Sequence, residues 1–183
     1  FITKVLNDRT IYPPYEKVEK LRYKLLQDNR VLNVEDFGAG SSISNKRQRS
    51  VYSIAKHAAK PKKYGQLLFR MIKYFQPGTI LELGTSLGIS TYYLSLAKPD
   101  ARLITMEGAK EIADISKDNF NFSGLKNIEL VVGNFDDNLS SVVNGLSSID
   151  FAFIDGNHRH DPTEQYFRLM LPKIHNESVL VFD

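Results

Sequence analysis

After Pro77-Gly78, the sequence alternates short, continuous apolar runs with amphipathic segments of helical length. The candidate strands are residues 79–83, 102–106, 128–132, 149–154 and 178–182. Helical patterns near residues 89–97, 109–122, 139–144 and 162–174 separate them. Continuous apolar strands separated by helices are typical of a parallel sheet that is covered on both faces. The sequence therefore predicts an α/β fold with a Rossmann-like, doubly wound and mostly parallel sheet.

The residues before this pattern are expected to form a basic helical segment. Residues 1–14 carry no clear periodicity, whereas apolar positions at helical spacing predict helices over 15–29, from a cap at Asn45 to about Ala59, and onward from Pro61. We divide the chain into a helical lid or cap, residues 1–60, and a Rossmann-like core, residues 61–183. A loop over residues 36–42, which contains Gly38 and Gly40, is expected to face the site.

Composition excludes several classes of chemistry. A length of 183 residues suits one domain, and the absence of cysteine excludes disulfides, thiolate metal sites and cysteine nucleophiles. The sequence has neither a long apolar membrane span nor a signal-peptide pattern, so we expect a soluble, cytoplasmic protein without a membrane partner. Because the chain begins at Phe1 and ends at Asp183, directly after an apolar run, we expect a fragment that lacks the C-terminal strands of the fold.

Polar residues recur at the carboxyl ends of the predicted strands. These residues are Glu82, Glu107, Asn134, Asp155 and Asp183. Doubly wound sheets bind their ligands at this edge. The pattern therefore predicts a polar binding site there.

The turn after the first predicted strand, Gly84-Thr-Ser-Leu-Gly88, fits two kinds of site. Gly-x-Ser-x-Gly is the spacing of a serine hydrolase elbow, with Ser86 as nucleophile and Asp155 and His158 following in the required order. However, that acid and histidine lie only three residues apart on one loop, and no His-Gly-Gly-Gly oxyanion motif is present. The hydrolase reading is therefore the weaker one.

A nucleotide-type cofactor explains more of these residues. Glu107 follows Gly88 by 19 residues, close to the roughly 20-residue spacing of the acid that binds ribose hydroxyls. Glu82 precedes Gly84 by two residues, where a carboxylate suits an ammonium group better than a pyrophosphate. A ligand that contains a ribose, a carboxylate and an ammonium group is favoured, and S-adenosylmethionine has all three.

With these residues in place, the sequence resembles the class I S-adenosylmethionine-dependent methyltransferases, specifically the small-molecule O-methyltransferases related to catechol O-methyltransferase. The resemblance extends from Pro77 to Asp183. Four motifs carry it, each at a strand end: LELGTSLGIS at 81–90, TMEG at 105–108, GNF at 133–135 and IDFAFIDGNH at 149–158.

The resemblance implies a role for each residue of the site. The turn that includes Gly84 is expected to pack against the methionine part of the cofactor, Ser90 to bind its carboxylate, Glu107 to bind the ribose, and Asn134-Phe135 to border the adenine. The full set of implied cofactor-binding residues is Glu82, Gly84, Thr85, Ser86, Gly88, Ser90, Glu107, Gly108, Asn134, Phe135 and Asp155.

The resemblance also implies the catalytic groups. The acceptor is expected to be a hydroxyl group of a small molecule, attacked in line with the sulfonium. Asp155 and His158 are the catalytic candidates, with His158 as the base because imidazole titrates near neutral pH. Asp155 and Asp183 match positions that ligate Mg²⁺ in the metal-dependent members of the family. His158 stands roughly where the catechol enzyme has a catalytic lysine.

An alternative comes from the uneven distribution of charge. Residues 1–75 carry a net charge of +10 and residues 76–183 a net charge of −7. A basic segment can bind nucleic acid, which leaves open an RNA methyltransferase or a nucleic-acid-binding module. Against this alternative, exposed aromatic residues are not interleaved with the basic ones. The basic residues concerned are Lys46, Arg47, Arg49, Lys56, Lys60, Lys62 and Lys63.

Overall fold

The computed structural model describes residues 1–34 and 48–183. A π-helical turn, Ile2–Leu6, precedes the first helix, and a 3₁₀ turn, Leu171–Lys173, follows the last one. The helices are α1 (Pro14–Leu25), α2 (Val51–His57), α3 (Lys62–Phe75), α4 (Ile89–Ala97), α5 (Lys110–Ser123), α6 (Phe135–Asn144) and α7 (His160–Met170). The strands are β1 (Val31–Asn33), β2 (Gln48–Ser50), β3 (Thr79–Leu83), β4 (Arg102–Glu107), β5 (Ile128–Val132), β6 (Phe151–Ile154) and β7 (Val179–Phe182).

Five strands form one parallel sheet in the order β5-β4-β3-β6-β7. From β3 the chain proceeds outward through β4 and β5, and it then returns to the other side of β3 to add β6 and β7. This reversal places the switch point of the sheet between β3 and β6, where open α/β sheets bind their ligands. The predicted Rossmann-like, doubly wound fold is confirmed.

Alternate residues of each strand face opposite sides of the sheet, and each side has its own core. Leu81, Leu83 and Ile104 belong to a cluster with buried residues of α6 and α7. Ile80 and Leu103 belong to a second cluster with buried residues of α3 and α4. The period-two alternation of side chains therefore places helices on both faces, as a buried parallel sheet requires.

The N-terminal helices join the core rather than forming a separate one. Tyr15 of α1 is buried in the same hydrophobic cluster as Phe69 of α3 and Tyr93 of α4. The Tyr93 hydroxyl also donates a hydrogen bond to the Glu19 carboxylate at 2.7 Å. Among the described residues, the segment 1–60 therefore has no hydrophobic core of its own. Its role as a lid stays a prediction.

Local details differ from the sequence expectations at the N-terminal end. The expected loose segment 1–14 contains the π-helical turn, in which Val5 is fully buried and its carbonyl accepts a hydrogen bond from Arg70 Nε at 2.7 Å. The helix expected from Asn45 begins only at Val51, where the Ser50 hydroxyl caps it by accepting a bond from Ser53 N at 3.1 Å.

The hairpin of β1 and β2 was not predicted, because strands of three residues carry too little pattern. Asn33 of β1 is instead stabilised by α5, since its backbone N–H donates to Glu111 Oε2 at 2.7 Å. The predicted loop over residues 36–42 and the residues Asn45, Lys46 and Arg47 lie outside the described residues. In the part of the chain that the structure describes, none of the helices is long and apolar enough to cross a membrane.

Candidate active site

A cavity of about 640 Å³ opens at the carboxyl ends of the central strands. This volume lies within the range of small-molecule sites, roughly 300–1,000 Å³. Residues of α2 and of the segment that follows it also line the cavity. The predicted site residues that line the cavity are Gly84, Ser86, Glu107, Gly108, Asn134, Phe135, Asp155, His158 and Asp183.

Gly84 brings the ends of β3 and β6 close together. Its φ of +105° is a conformation that favours glycine, and an added Cβ would collide with the carbonyl oxygen of Asp155. The backbone N–H groups of Gly84 and Thr85 both donate to the carbonyl of Met106 at 3.0 Å. The turn is thus anchored to β4, and only the glycine leaves room for the loop after β6.

The predicted residues Glu82, Thr85, Gly88 and Ser90 lie behind the cavity wall rather than in it. Glu82, Thr85 and Ser90 are buried, and Gly88 begins α4 with a φ of +88°. Their contact with a ligand stays a prediction. In the structure these residues are packed beneath the turn and do not line the cavity.

Glu82 is a fully buried carboxyl group on β3. Its Oε2 accepts hydrogen bonds from Thr91 Oγ1 at 2.6 Å and from Thr105 Oγ1 at 2.7 Å, while Oε1 has no hydrogen-bond partner among the described residues. Burial raises the pKa of Glu82 to about 7, and the hydroxyl hydrogen bonds oppose this rise. The sequence did not reveal Thr105 as a partner, but the register of the sheet pairs it directly with Glu82.

Glu107 connects the end of β4 to the turn after β3. Its Oε2 accepts from Ser86 N at 2.8 Å and its Oε1 accepts from Ala109 N at 2.9 Å. Burial raises the pKa of Glu107, and the backbone hydrogen bonds oppose that rise. An ionised carboxylate has about four lone-pair sites, so Glu107 retains acceptor capacity for a ligand in the cavity.

Asn134 and Phe135 begin α6 at the side of the cavity. The Asn134 side chain caps the helix by accepting from Asp136 N at 3.2 Å. The Phe135 ring packs edge-on against Tyr166, with their centroids 5.9 Å apart. An added Cβ on Gly156 would meet the Phe135 ring at 2.5 Å, so this glycine is required for the close approach.

A chain of three polar side chains at the cavity edge was missed by the sequence analysis. Asn157 Nδ2 donates to the Tyr166 hydroxyl at 3.0 Å, and that hydroxyl donates to Asp136 Oδ1 at 2.8 Å. Burial raises the pKa of Tyr166 to about 12. Asn157 has a φ of +67°, and its Oδ1 is buried without a partner among the described residues. No spacing rule connects these residues, because they meet only through the packing of α6 and α7.

Asp155 and Asp183 lie at the ends of the neighbouring strands β6 and β7, and Lys60 lies between them. Lys60 Nζ is 2.9 Å from Asp155 Oδ2 and 2.9 Å from Asp183 Oδ2. Burial raises the pKa of Asp155 to about 6 against the opposing effect of Lys60. The hydrogen bond from Lys60 lowers the pKa of Asp183. Sequence reasoning placed Lys60 only in the basic segment.

These carboxylates do not fit a divalent cation in the arrangement that the structure shows. Asp155, His158 and Asp183 each offer a ligand atom, and these atoms lie within 4.8 Å of one another. Their oxygen donors suit Mg²⁺ in chemical type. However, the ammonium group of Lys60 already bridges both carboxylates, and a second cation beside it would be repelled.

His158 lies at the open side of the cavity. Its side chain is 51% exposed, and its Nε2 is 3.8 Å from Asp155 Oδ1, which is too long for a hydrogen bond. A φ of +39° is rare for a residue other than glycine and turns the backbone sharply at this position. The exposed imidazole is therefore accessible to a ligand in the cavity.

The geometry does not support the serine hydrolase alternative. A catalytic triad requires the acid to orient the histidine and the histidine to contact the serine. Asp155 is instead bonded to Lys60, and the Ser86 backbone N–H donates to Glu107. Within residues 1–34 and 48–183, Ser86 Oγ makes no hydrogen bond to a histidine.

The basic residues of the described segment are divided between those that line the cavity and those that do not. Arg49, Lys56 and Lys60 line the cavity, whereas Lys62 and Lys63 are exposed at the start of α3. Nothing in this arrangement favours the nucleic-acid alternative.

The switch-point cavity, the glycine turn after β3 and the acid at the end of β4 define a Rossmann-like domain of the class that binds nucleoside-containing cofactors. Residues 81–183 match the sequence profile of a family described as Methyltransferase domain. Since the match covers more than half of the chain, the protein belongs to this methyltransferase family.

Individual relatives agree with this assignment. The chain is 31% identical over 122 residues to a catechol O-methyltransferase of Niastella koreensis, a match that covers 65% of this chain and 54% of that protein. It is 30% identical over 95 residues to the catechol O-methyltransferase of Mus musculus, with 50% of this chain and 36% of that protein covered. The chain thus spans about half, or less, of the length of these curated relatives.

Solved structures show the same fold. The O-methyltransferase TomG from Streptomyces achromogenes, solved in complex with SAM, is 29% identical with a TM-score of 0.63, covering 68% of this chain and 56% of that one. An O-methyltransferase from Bacillus cereus in complex with SAH is 22% identical with a TM-score of 0.66, covering 100% of this chain and 70% of that one. At that lower identity, the second likeness concerns the fold alone.

Proposed function

We propose that this chain binds S-adenosylmethionine in the cavity at the switch point and transfers its methyl group to a hydroxyl group of a small molecule. The observation that carries the proposal is the position of Glu107, a half-buried carboxylate that lies in the cavity wall and also holds the backbone of the glycine turn. Membership of the methyltransferase family and the relatives named above, which are O-methyltransferases, support this function.

The residues present fit this cofactor. Gly84 and Gly156, which line the cavity, have no side chain that would project into it. Glu82 does not line the cavity, but its Oε1 is a buried carboxyl oxygen without a partner among the described residues, and the positive charge of an ammonium group in the adjacent cavity would partly compensate it. Glu107 would accept hydrogen bonds from the ribose hydroxyls, and Asn134 and Phe135 would border the base. S-adenosylmethionine, when bound, supplies an electrophilic methyl group on a sulfonium.

His158 is the residue that we assign to the acceptor proton. It lines the cavity, its side chain is exposed, and histidine is the side chain that most often serves as a general base. With the cofactor bound, the His158 imidazole would take the proton of the acceptor hydroxyl that receives the methyl group. Alignment of the acceptor by the cavity wall supplies the remaining acceleration by proximity.

We also propose that the N-terminal segment closes the cavity as a lid. Val34, Ile54 and Ala59 of this segment line the cavity together with the strand ends, which supports this role. The cytoplasmic location inferred from the sequence stays a prediction.

The test is calorimetric titration with S-adenosylhomocysteine, combined with mass-spectrometric detection of methyl transfer from labelled S-adenosylmethionine to a panel of phenols and catechols. We expect binding by the wild type and strongly weakened binding by Glu107→Ala. Absence of binding by the wild type would refute the proposal. The exposed residue Glu177 provides the matched control, Glu177→Ala, since it carries an equal charge, precedes the amino end of β7 and does not line the cavity.

A further inference from the structure

Lys60 bridges two carboxylates that would otherwise repel each other. Asp155 and Asp183 follow β6 and β7, which are adjacent strands in register. Each carboxylate places an oxygen 2.9 Å from Lys60 Nζ, and the lysine side chain is only 9% exposed. Asp155 is nearly as buried, at 14% exposed. A buried carboxylate needs a partner of opposite charge, and here a side chain of the protein provides it.

The fold holds Lys60 in this position from three directions. Its backbone carbonyl accepts a hydrogen bond from Arg22 Nη2 at 2.8 Å. Pro61 follows it and restricts its backbone to extended conformations. Its Nζ lies 5.5 Å from the centre of the Phe153 ring, within range of a cation–π contact. The ammonium group is therefore built into the cavity wall and is not a mobile surface charge.

This placement conflicts with a divalent cation at the same carboxylates. Mg²⁺ binds carboxylate oxygens at about 2.0–2.1 Å and requires nearly octahedral geometry. An ion that touches both Asp155 and Asp183 would occupy the space that Lys60 Nζ fills. Two cations about 3 Å apart repel strongly, even with the screening of a high effective dielectric constant.

Resting on the proposed function, we propose that Lys60 is the resident cation of this active site and replaces a divalent metal, so that methyl transfer by this chain is independent of metal. Lys60 offsets the charge of the two carboxylates in part and forms no covalent bond in the reaction, so the balance of the reaction is unchanged. An ammonium group has three N–H donors, and the two carboxylates use two of them. The third is available to an acceptor oxygen in the cavity.

The experiment measures binding of Mn²⁺ by electron paramagnetic resonance, in which bound Mn²⁺ loses the six-line signal of the free ion. It compares the wild type with Lys60→Met, which keeps the length of the side chain but removes the charge. Lys63→Met is the matched control, because Lys63 is exposed two residues after Pro61 and does not line the cavity. Lys60→Gln is the second variant, and it is used if circular dichroism shows that Lys60→Met is unfolded.

We expect the wild type and Lys63→Met to leave the free Mn²⁺ signal undiminished. Lys60→Met should bind Mn²⁺ at least about tenfold more tightly, because the repelling charge is gone. Adding Asp183→Asn to Lys60→Met should abolish the gain, which locates the ion at these carboxylates. Tight Mn²⁺ binding by the wild type that Asp183→Asn removes would overturn the proposal, and so would the absence of any gain in folded Lys60 variants.

Failure of this inference is distinguishable from failure of the proposed function. Binding of Mn²⁺ is read without cofactor or acceptor, whereas the proposed function depends on binding of S-adenosylhomocysteine by the wild type. If the wild type binds both S-adenosylhomocysteine and Mn²⁺, the proposed function stands and the proposal that Lys60 replaces the metal is wrong.

Discussion

The backbone N–H of Ser86 donates a hydrogen bond of 2.8 Å to the carboxylate of Glu107, which joins the turn after β3 to the end of β4. A hydrolase elbow would depend on the side chain of Ser86, whereas this bond depends on its backbone and on the side chain of Glu107. Ser86 contributes its backbone, whereas Glu107 contributes its side chain both to the turn and to the cavity wall.

We expect Glu107→Ala to weaken binding of S-adenosylhomocysteine by about 10- to 100-fold, because hydrogen bonds to a charged group are worth roughly 1.5–3 kcal/mol. Ser86→Ala, which retains the backbone N–H, should change the affinity by no more than a few-fold. Isothermal titration calorimetry measures both variants. The reverse order of effects would reopen the nucleophile interpretation of Ser86.

Gly84 and Gly124 form a matched pair for testing close approach at the site. Both have positive φ, at +105° and +69°, but a Cβ on Gly84 would collide with the backbone of Asp155, whereas a Cβ on Gly124 meets nothing within 4 Å. Gly124→Ala should therefore cost only the strain of the backbone conformation, about 1–2 kcal/mol. Gly84→Ala should lower the free energy of unfolding in urea by a clearly larger amount. Equal losses would contradict the close packing of β3 and β6.

Glu82 should make the stability of the ligand-free protein depend on pH. Burial raises its pKa from 4.5 to about 7, so the folded state binds this proton more tightly than the unfolded state does. The stability that protonated Glu82 contributes is complete below about pH 4.5 and is lost as the pH rises through 7. Glu82→Gln, which keeps an acceptor for Thr91 and Thr105, should become more stable relative to the wild type between pH 5 and pH 8.

Thermal unfolding of the wild type and Glu82→Gln across this pH range measures the effect. Glu177→Gln is the control for loss of an exposed negative charge, and its difference from the wild type should stay nearly constant. A difference between Glu82→Gln and the wild type that does not change with pH would show that Glu82 is not the titrating group.

Tyr166→Phe should separate stability from binding when it is compared with Tyr92→Phe. The Tyr166 hydroxyl connects Asn157 to Asp136 at the cavity, whereas the buried Tyr92 hydroxyl donates to the Asn119 carbonyl at 2.6 Å away from it. Tyr92→Phe should cost about 1–3 kcal/mol in urea unfolding, since it leaves a buried carbonyl unsatisfied. Tyr166→Phe should cost less, about 0.5–1.5 kcal/mol, because its two partners are only partly buried. Only Tyr166→Phe should also weaken the binding of S-adenosylhomocysteine, because Asn157 lines the cavity. Equal affinities of the two variants for S-adenosylhomocysteine would show that the Tyr166 hydroxyl has no role in binding.

The elements of the parallel sheet were predictable because their signal is local. The expected boundaries of β3 at 79–83, of β5 at 128–132 and of α4 at 89–97 agree with the structure. Buried strands and amphipathic helices repeat with the period of their own backbone, so the pattern is visible in a short window. The hairpin of β1 and β2 and the π-helical turn carry no such period, and they depend on Glu111 and Arg70, which are distant in sequence.

The sequence by itself determined the fold class and the polar edge of the sheet. Glu82, Glu107, Asp155 and Asp183 lie at or next to the carboxyl ends of their strands, and these ends meet at one edge of any parallel sheet. Only the tertiary structure decided which charges meet there. Lys60 lies 95 residues before Asp155 along the chain, and a hydrogen bond from Arg22 to its carbonyl helps to position its ammonium group. No local pattern encodes such a contact, since it arises when the N-terminal segment packs against the carboxyl ends of β6 and β7.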